Sequence, residues 1–348
     1  VNLANQRNRL SQEKLVHSDL LRAAHAVFLP AFDHWDVDAV MDLFLAGGGC
    51  SILIGESREE YLARRMSNQR RDAETAEFFR QQLERLKAKS GKLIVALDEE
   101  LGGIRRLEGL VPDLPSPSEA TAMSDNEIEA RCFENARTAH ALGVTMYLAP
   151  VIDVVNGDNP WLKGRTLGSD ASEIARIGAA YVRGVQRAGI AAVAKHFPGY
   201  NHLAGDPAEM VVSLDTAIEP LTASAQTFAA AISAGAKAVM VGPAPVVALD
   251  PDNAACVSPA VINFLREHFG FDGLIVSDDL DGPSALRGNS LLDTAIAGLK
   301  AGADLLLVAG GPHLEELCRG VALAATDGRL PSDRLEEAAE RVRAMSGR

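Results

Sequence analysis

The sequence predicts an α/β protein folded as one (β/α)8 barrel, a TIM barrel, and three observations carry that expectation. Eight short apolar runs rich in β-branched residues recur along the 348 residues. Segments with helical periodicity separate them. Each run is nearly continuous rather than strictly alternating, as strands covered on both faces are. The chain exceeds the roughly 250 residues such a barrel needs, and no linker, low-complexity stretch or change of composition divides it. A single domain over residues 1–348 is the expectation. A doubly wound open sheet shares this periodicity, but the Gly-rich dinucleotide loop of its nucleotide-binding versions is missing, since "LAGGGC" precedes a strand instead of following one.

The runs, in order, are 25–32, 50–55, 92–100, 144–154, 190–197, 237–242, 273–280 and 303–310. Between them, "DVDAVMDLFLAG", "DNEIEARCFENARTAHALG", "DASEIARIGAAYVRGVQRAG" and "AIEPLTASAQTFAAAISAG" each close on Gly, a common helix stop. The second and third open on Asp, which can accept from first-turn amides. Residues 56–90 form a longer charged helical stretch, 110–125 a Pro/Ser-rich loop over one barrel face, and 332–346 a closing amphipathic helix.

A formal charge of −13 leaves no basic excess with which to neutralise phosphates, so nucleic acid is excluded as a partner. Cys50, Cys132, Cys256 and Cys318 are too widely spaced for a metal set or a disulfide framework and read as small buried hydrophobes. The eight histidines do not cluster, and neither a metal nor a cofactor is expected. The N-terminal stretch has no apolar signal-peptide core, and no apolar run reaches the roughly 20 residues that span a bilayer. The expectation is a cytoplasmic protein without a membrane partner; its oligomeric state is left open.

Side chains at the C-terminal ends of barrel strands face one shared mouth. Here those ends carry Asp98, Glu99 and Glu100, then Asp153 and Asn156, then Lys195 and His196, then Asp278 and Asp279. Alternation along a strand places Asp278 inward with Val276 and turns Asp279 toward the surrounding helices or the next helix cap. One inward carboxylate, kept ionised by Lys195 or Arg165 nearby, suits attack on a sugar anomeric carbon. Trp161 reads either as a stacking face for a sugar or as ordinary packing. Lys195 alone also admits a Schiff-base aldolase.

With these residues in view, the chain resembles the compact, single-barrel β-N-acetylhexosaminidases of glycoside hydrolase family 3 over about residues 25–326. "IVALDEELGG" is similar to the family's third-strand signature, with Leu101 inserted before Gly102-Gly103, and implies that Asp98 holds sugar hydroxyls. "GRTLGSD" implies Arg165 against the substrate. "KHFPG" implies hydroxyl binding by Lys195 and His196, and "SDDL" implies Asp278 as nucleophile of a retaining mechanism. The implied substrate is a β-N-acetylglucosaminide or related small β-glycoside.

The resemblance also implies a proton-donating histidine two residues after an aspartate on the loop following "KHFPG". That loop reads "YNHLAGDPAE": the aspartate is Asp206, and Ala208 stands where the histidine belongs. Two titratable neighbours, His202 and Glu209, are the replacement candidates. The alternatives are an enzyme with no intrinsic acid/base and a sugar-binding protein that has lost hydrolysis.

Overall fold

A computed structural model describes residues 18–347. Most of the N-terminal stretch read for a leader, residues 1–17, lies outside the described residues. The strands in chain order are β1 (Phe28–Phe32), β2 (Ser51–Ile54), β3 (Ile94–Leu97), β4 (Met146–Tyr147), β5 (Ala191–Phe197), β6 (Ala238–Val241), β7 (Pro245–Val246), β8 (Asp250–Ala254), β9 (Leu274–Ser277) and β10 (Leu306–Ala309). Eight of them form one parallel sheet in the order β10-β1-β2-β3-β4-β5-β6-β9. Its two ends meet through the parallel bridge Val276–Leu305, with Ser277 N–H donating to Leu305 O at 2.9 Å. The sheet is therefore closed, the expected (β/α)8 barrel.

All eight expected strands are present, but shorter than the apolar runs. His25 and Ala26 belong to a helix ahead of β1, and β4 keeps only two residues of the 144–154 run. The small antiparallel hairpin β7–β8 after β6 was not anticipated. The stretch 56–90 is three helices, Arg58–Ala63, Asn68–Ala73 and Ala76–Ser90. The Pro/Ser-rich 110–125 segment holds a short helix, Pro117–Ala122, capped by Ser116. Asp170 caps its helix as expected, accepting from Ser172 and Glu173 N–H. Asp125 does not: Ser124 takes the cap and Asp125 becomes the first helical residue. The helix Asp125–Leu142 ends on Gly143 at φ 103°, a left-handed conformation that favours Gly.

The eight barrel strands are almost wholly buried, and all four cysteines lie among the core side chains. Phe197 at the end of β5 packs edge-on against Phe228 and Phe269, with centroids 5.2 and 5.6 Å apart. Truncating such a ring costs about 3–5 kcal/mol, so the strand that presents Lys195 and His196 is firmly anchored. Among the described residues, no helix is long and apolar enough to cross a membrane.

Candidate active site

At the C-terminal ends of the strands a cavity of about 340 Å³ is lined by Asp98, Arg165, Lys195, His196, Asp278 and Asp279, among others. Four of the expected site residues, Asp98, Lys195, His196 and Asp278, come from strand ends, and Arg165 joins them from the loop after β4. Beyond the end of β3 the three acids part: Asp98 lines the cavity, Glu100 lies buried behind it against Arg165 and Lys195, and Glu99 turns into a separate buried network. Glu99 accepts from Leu107 N–H (3.1 Å) and Asn135 Nδ2 (3.2 Å), and Tyr147 OH donates to Asn135 Oδ1 (2.9 Å). Burial pushes the Glu99 carboxyl up to about 7 despite those donors.

Glu100 organises the cationic side. Arg165 donates to it through Nη2 (2.6 Å) and Nε (3.1 Å), and Lys195 Nζ lies 2.8 Å from its Oε1. All three side chains are essentially excluded from solvent. Burial disfavours their charges, yet Arg165 and Lys195 hold Glu100 well below the usual carboxylate range. Lys195 also donates to Asp98. Against the cost of burial, Asp98 and Glu100 raise the Lys195 pKa. A Schiff-base nucleophile needs a neutral amine, so this environment opposes the aldolase alternative. Tyr61, overlooked in the sequence, accepts from Arg165 Nη1 at 3.1 Å.

His196 is oriented by Asp153. Its Nδ1 donates to Asp153 Oδ2 (2.9 Å), as does its own backbone N–H (3.0 Å), and Tyr200 N–H reaches Oδ1 (2.8 Å). The ring thus presents Nε2 to the cavity, 3.9 Å from Asp278 Oδ2. Trp161 packs on the His196 ring with centroids 4.4 Å apart and also lines the cavity. Asn156 instead accepts from Asn201 Nδ2 and does not line the cavity.

Asp278 follows β9 directly. The Asp279 N–H donates to its Oδ1 at 2.8 Å, while Oδ2 is shielded and has no hydrogen-bond partner. Two expectations are corrected here. Lys195 and Arg165 are engaged by Asp98 and Glu100, so the basic side chain closest to Asp278 is His196. Asp279 neither faces the helices nor caps the next one: β9 ends at Ser277, the alternation stops there, and both carboxyls line the cavity. Burial and the neighbouring Asp281 carboxylate push Asp279 up to about 7.

The loop after β5 behaves differently. Asp206 and Glu209 both accept from Arg58 Nη2, at 2.9 and 2.5 Å. His202 Nε2 pairs with Asp215 Oδ1 at 2.5 Å, on an exposed face. None of these three lines the cavity; Pro207 and Ala208 do. The loop is pinned there, because Ser284 N–H donates to Pro207 O (3.2 Å) and Ser284 Oγ to Met210 O (2.7 Å).

Glu56, two residues beyond the end of β2, is a further lining residue that the sequence reading missed. A carboxylate ending the apolar run "CSILIG" is the same signal that singled out Asp98 and Asp278. It was masked by assigning residues from 56 onward to a helix.

Residues 50–345 match the family model described as glycosyl hydrolase family 3 N terminal domain. The chain belongs to that family. It is 31% identical over 264 residues to a β-hexosaminidase of Methylococcus capsulatus, covering 74% of this chain and 76% of the relative. Among solved structures, the β-N-acetylhexosaminidase of Beutenbergia cavernae superposes with a TM-score of 0.83 at 28% identity, covering 94% of this chain and 98% of that one. A family 3 β-N-acetylglucosaminidase from Paenibacillus gives 0.82 at 25% identity; 94% of this chain is covered, but only 62% of the larger Paenibacillus chain.

Proposed function

We propose that this protein is a retaining glycosidase that acts on a β-N-acetylglucosaminide or related small β-glycoside, with Asp278 as nucleophile. The observation that carries the reading is Asp278 Oδ2, a shielded carboxylate oxygen without a partner, facing the cavity beside His196. An oxygen left unpaired in such a place is costly unless a ligand or reacting atom completes it. Asp98, Lys195, His196 and Arg165 fix sugar hydroxyls around it. Oδ2 attacks the anomeric carbon as the glycosidic C–O bond breaks, forming a glycosyl ester. Water then attacks that carbon, and Asp278 is regenerated.

Protonation of the leaving oxygen is the weak step. Ala208 has no proton to give, and His202 and Glu209 face other partners. Leaving groups that depart as stable anions are therefore the favoured substrates, the proton being supplied by water. The same loop favours a second reading, a sugar-binding protein without turnover, which retains every hydroxyl-binding residue.

An activated 2-fluoro glycoside and an aryl glycoside series test both readings. Labelling of Asp278 with Asp279 untouched, and turnover that depends steeply on leaving-group acidity, are the expected results. Asp278→Asn removes the attacking charge at constant shape, so turnover falls by orders of magnitude while sugar binding persists. Saturable sugar binding with neither labelling nor turnover favours the second reading. Labelling at another carboxyl overturns the nucleophile assignment.

A further inference from the structure

A second cavity of about 410 Å³ opens beside the first, and Glu56, Asp98, Asp279 and Leu307 line both. Four carboxyls border it, from Asp33, Glu56, Asp98 and Asp279. The rest of its lining is apolar or glycine, and no basic side chain contributes. Glu56 Oε2 is shielded and has no hydrogen-bond partner.

The cations nearest these acids are already engaged. Lys195 lies between Asp98 and Glu100, and Arg106 donates to Gly55 O (2.7 Å) and lies against Glu74. Asp279 faces Asp278 and Asp281 and accepts from Asp281 N–H, while Asp33 has His34 Nε2 at 3.9 Å. Burial and the charges of Asp98 and Glu100 outweigh Arg106 and Lys195 and push Glu56 up to about 8. Burial, reinforced by neighbouring carboxylates, thus raises two of the acids that border the side cavity, Glu56 to about 8 and Asp279 to about 7. Among the described residues no three acids, histidines or cysteines converge as metal ligands do. The acids instead border a space large enough for part of a sugar.

We propose that this side cavity is a subsite for an ammonium group, so that the preferred ligand is a glycoside with a free amine held between Glu56, Asp98 and Asp279. The inference rests on the sugar-pocket reading above and narrows its substrate class. A bound ammonium favours the ionised forms of Glu56 and Asp279, so binding near neutral pH releases protons to solvent and both carboxylates then accept charge-assisted hydrogen bonds. A neutral hydroxyl or acetamide gives no such exchange.

The test is calorimetry at pH 7 in buffers of different ionisation enthalpy. The ligands are methyl β-glucosaminide and methyl 6-amino-6-deoxy-β-glucoside, with methyl β-glucoside and methyl β-N-acetylglucosaminide as neutral counterparts. At least one free-amine ligand is expected to bind about tenfold or more tightly than both neutral ones, in line with a charge-assisted bond, and to release protons. Glu56→Gln removes most of that preference, weakening the amine ligand about tenfold more than the neutral glycoside. Equal or weaker binding of both amines, or binding without proton release, overturns the ammonium subsite and leaves the sugar pocket standing. Failure of all four ligands overturns both. Proton release is measured on the unsubstituted protein, so the outcome does not depend on the variant folding.

Discussion

The pocket has two halves, and they are held in different ways. Asp98, Lys195, His196 and Asp278 stand at strand ends, with Glu100 and Asp153 fixing two of them from wholly buried positions. On the loop after β5, Asp206, Glu209 and His202 also have partners, but these sit at the surface: Glu209 is 62% exposed and Asp215 78%. In a barrel, the period of the strand and closure of the sheet decide where a strand-end side chain points. A loop side chain points wherever its best partner lies. Here Arg58, at the edge of the cavity, engages Asp206 and Glu209, exposed Asp215 engages His202, and the loop's lining positions are left to Pro207 and Ala208.

The sharpest way to break this contrast is to give the loop half what it lacks. Ala208→His places a titratable group on the cavity wall, two residues after Asp206. A positioned proton donor is commonly worth about 10²–10⁴-fold, so glycosides with poor leaving groups should gain most and the leaving-group dependence should flatten. Because Asp206 is occupied by Arg58, the full gain is expected only when Arg58→Ala frees it. Unchanged rates on alkyl glycosides in the double variant, with the fold intact, would mean that position 208 does not face the leaving oxygen.

The strand-end half should instead be fragile in stability. Glu100→Gln removes the carboxylate that Arg165 and Lys195 share, leaving buried Arg165 with only neutral partners and Lys195 with Asp98 as its single anionic one. Breaking a buried pair from one side costs about 3–5 kcal/mol, read as a lower denaturation midpoint together with weaker sugar binding. A midpoint within error of the parent would show that Asp98 and Tyr61 alone can hold both cations.

Much of this was readable in the sequence because the physics is repetitive. Eight runs gave eight strands, and a carboxylate or a Lys-His pair after an apolar run marked four of the residues that meet in the cavity. The inference failed where regularity ended. Asp279 was turned outward by extending the pleat past Ser277, and Glu56 was lost to a helix that begins at Arg58. The hairpin β7–β8 had no apolar run to announce it, since Asp250–Ala254 is mostly exposed. Partner choice on the loop, Arg58 for Asp206 and Asp215 for His202, depends on pairings 148 and 13 residues apart that no local pattern encodes.

The buried network beyond the end of β3 yields a smaller, pH-dependent effect. Glu99 keeps its proton up to about 7 through burial, against an ordinary 4.5. Between those values the unfolded chain loses this proton while the folded chain retains it. Its contribution to stability therefore falls as pH rises through that window, by about 1.4 kcal/mol per unit, and levels off above. Glu99→Gln mimics the protonated acid and should flatten that part of the profile of denaturation midpoint against pH. Glu56 and Asp279, both also raised, keep the remainder of the slope. An unaltered profile in the variant would mean that Glu99 is ionised in the folded protein.

The smallest effects belong to the loop acids that the sequence offered as proton donors. His202 and Asp215 form a pair in which neither side chain is buried, and Glu209 meets Arg58 at a half-exposed site. Exposed pairs of this kind are worth about 0.2–1 kcal/mol. His202→Ala and Glu209→Gln should thus shift the denaturation midpoint little and leave turnover of aryl glycosides within about threefold. The informative measurement is the pH profile of turnover on an alkyl or sugar leaving group. If one substitution abolishes it and also removes the basic limb of the profile, that side chain must swing from its surface partner into the cavity during reaction. The contrast between the two halves would then describe the resting protein alone.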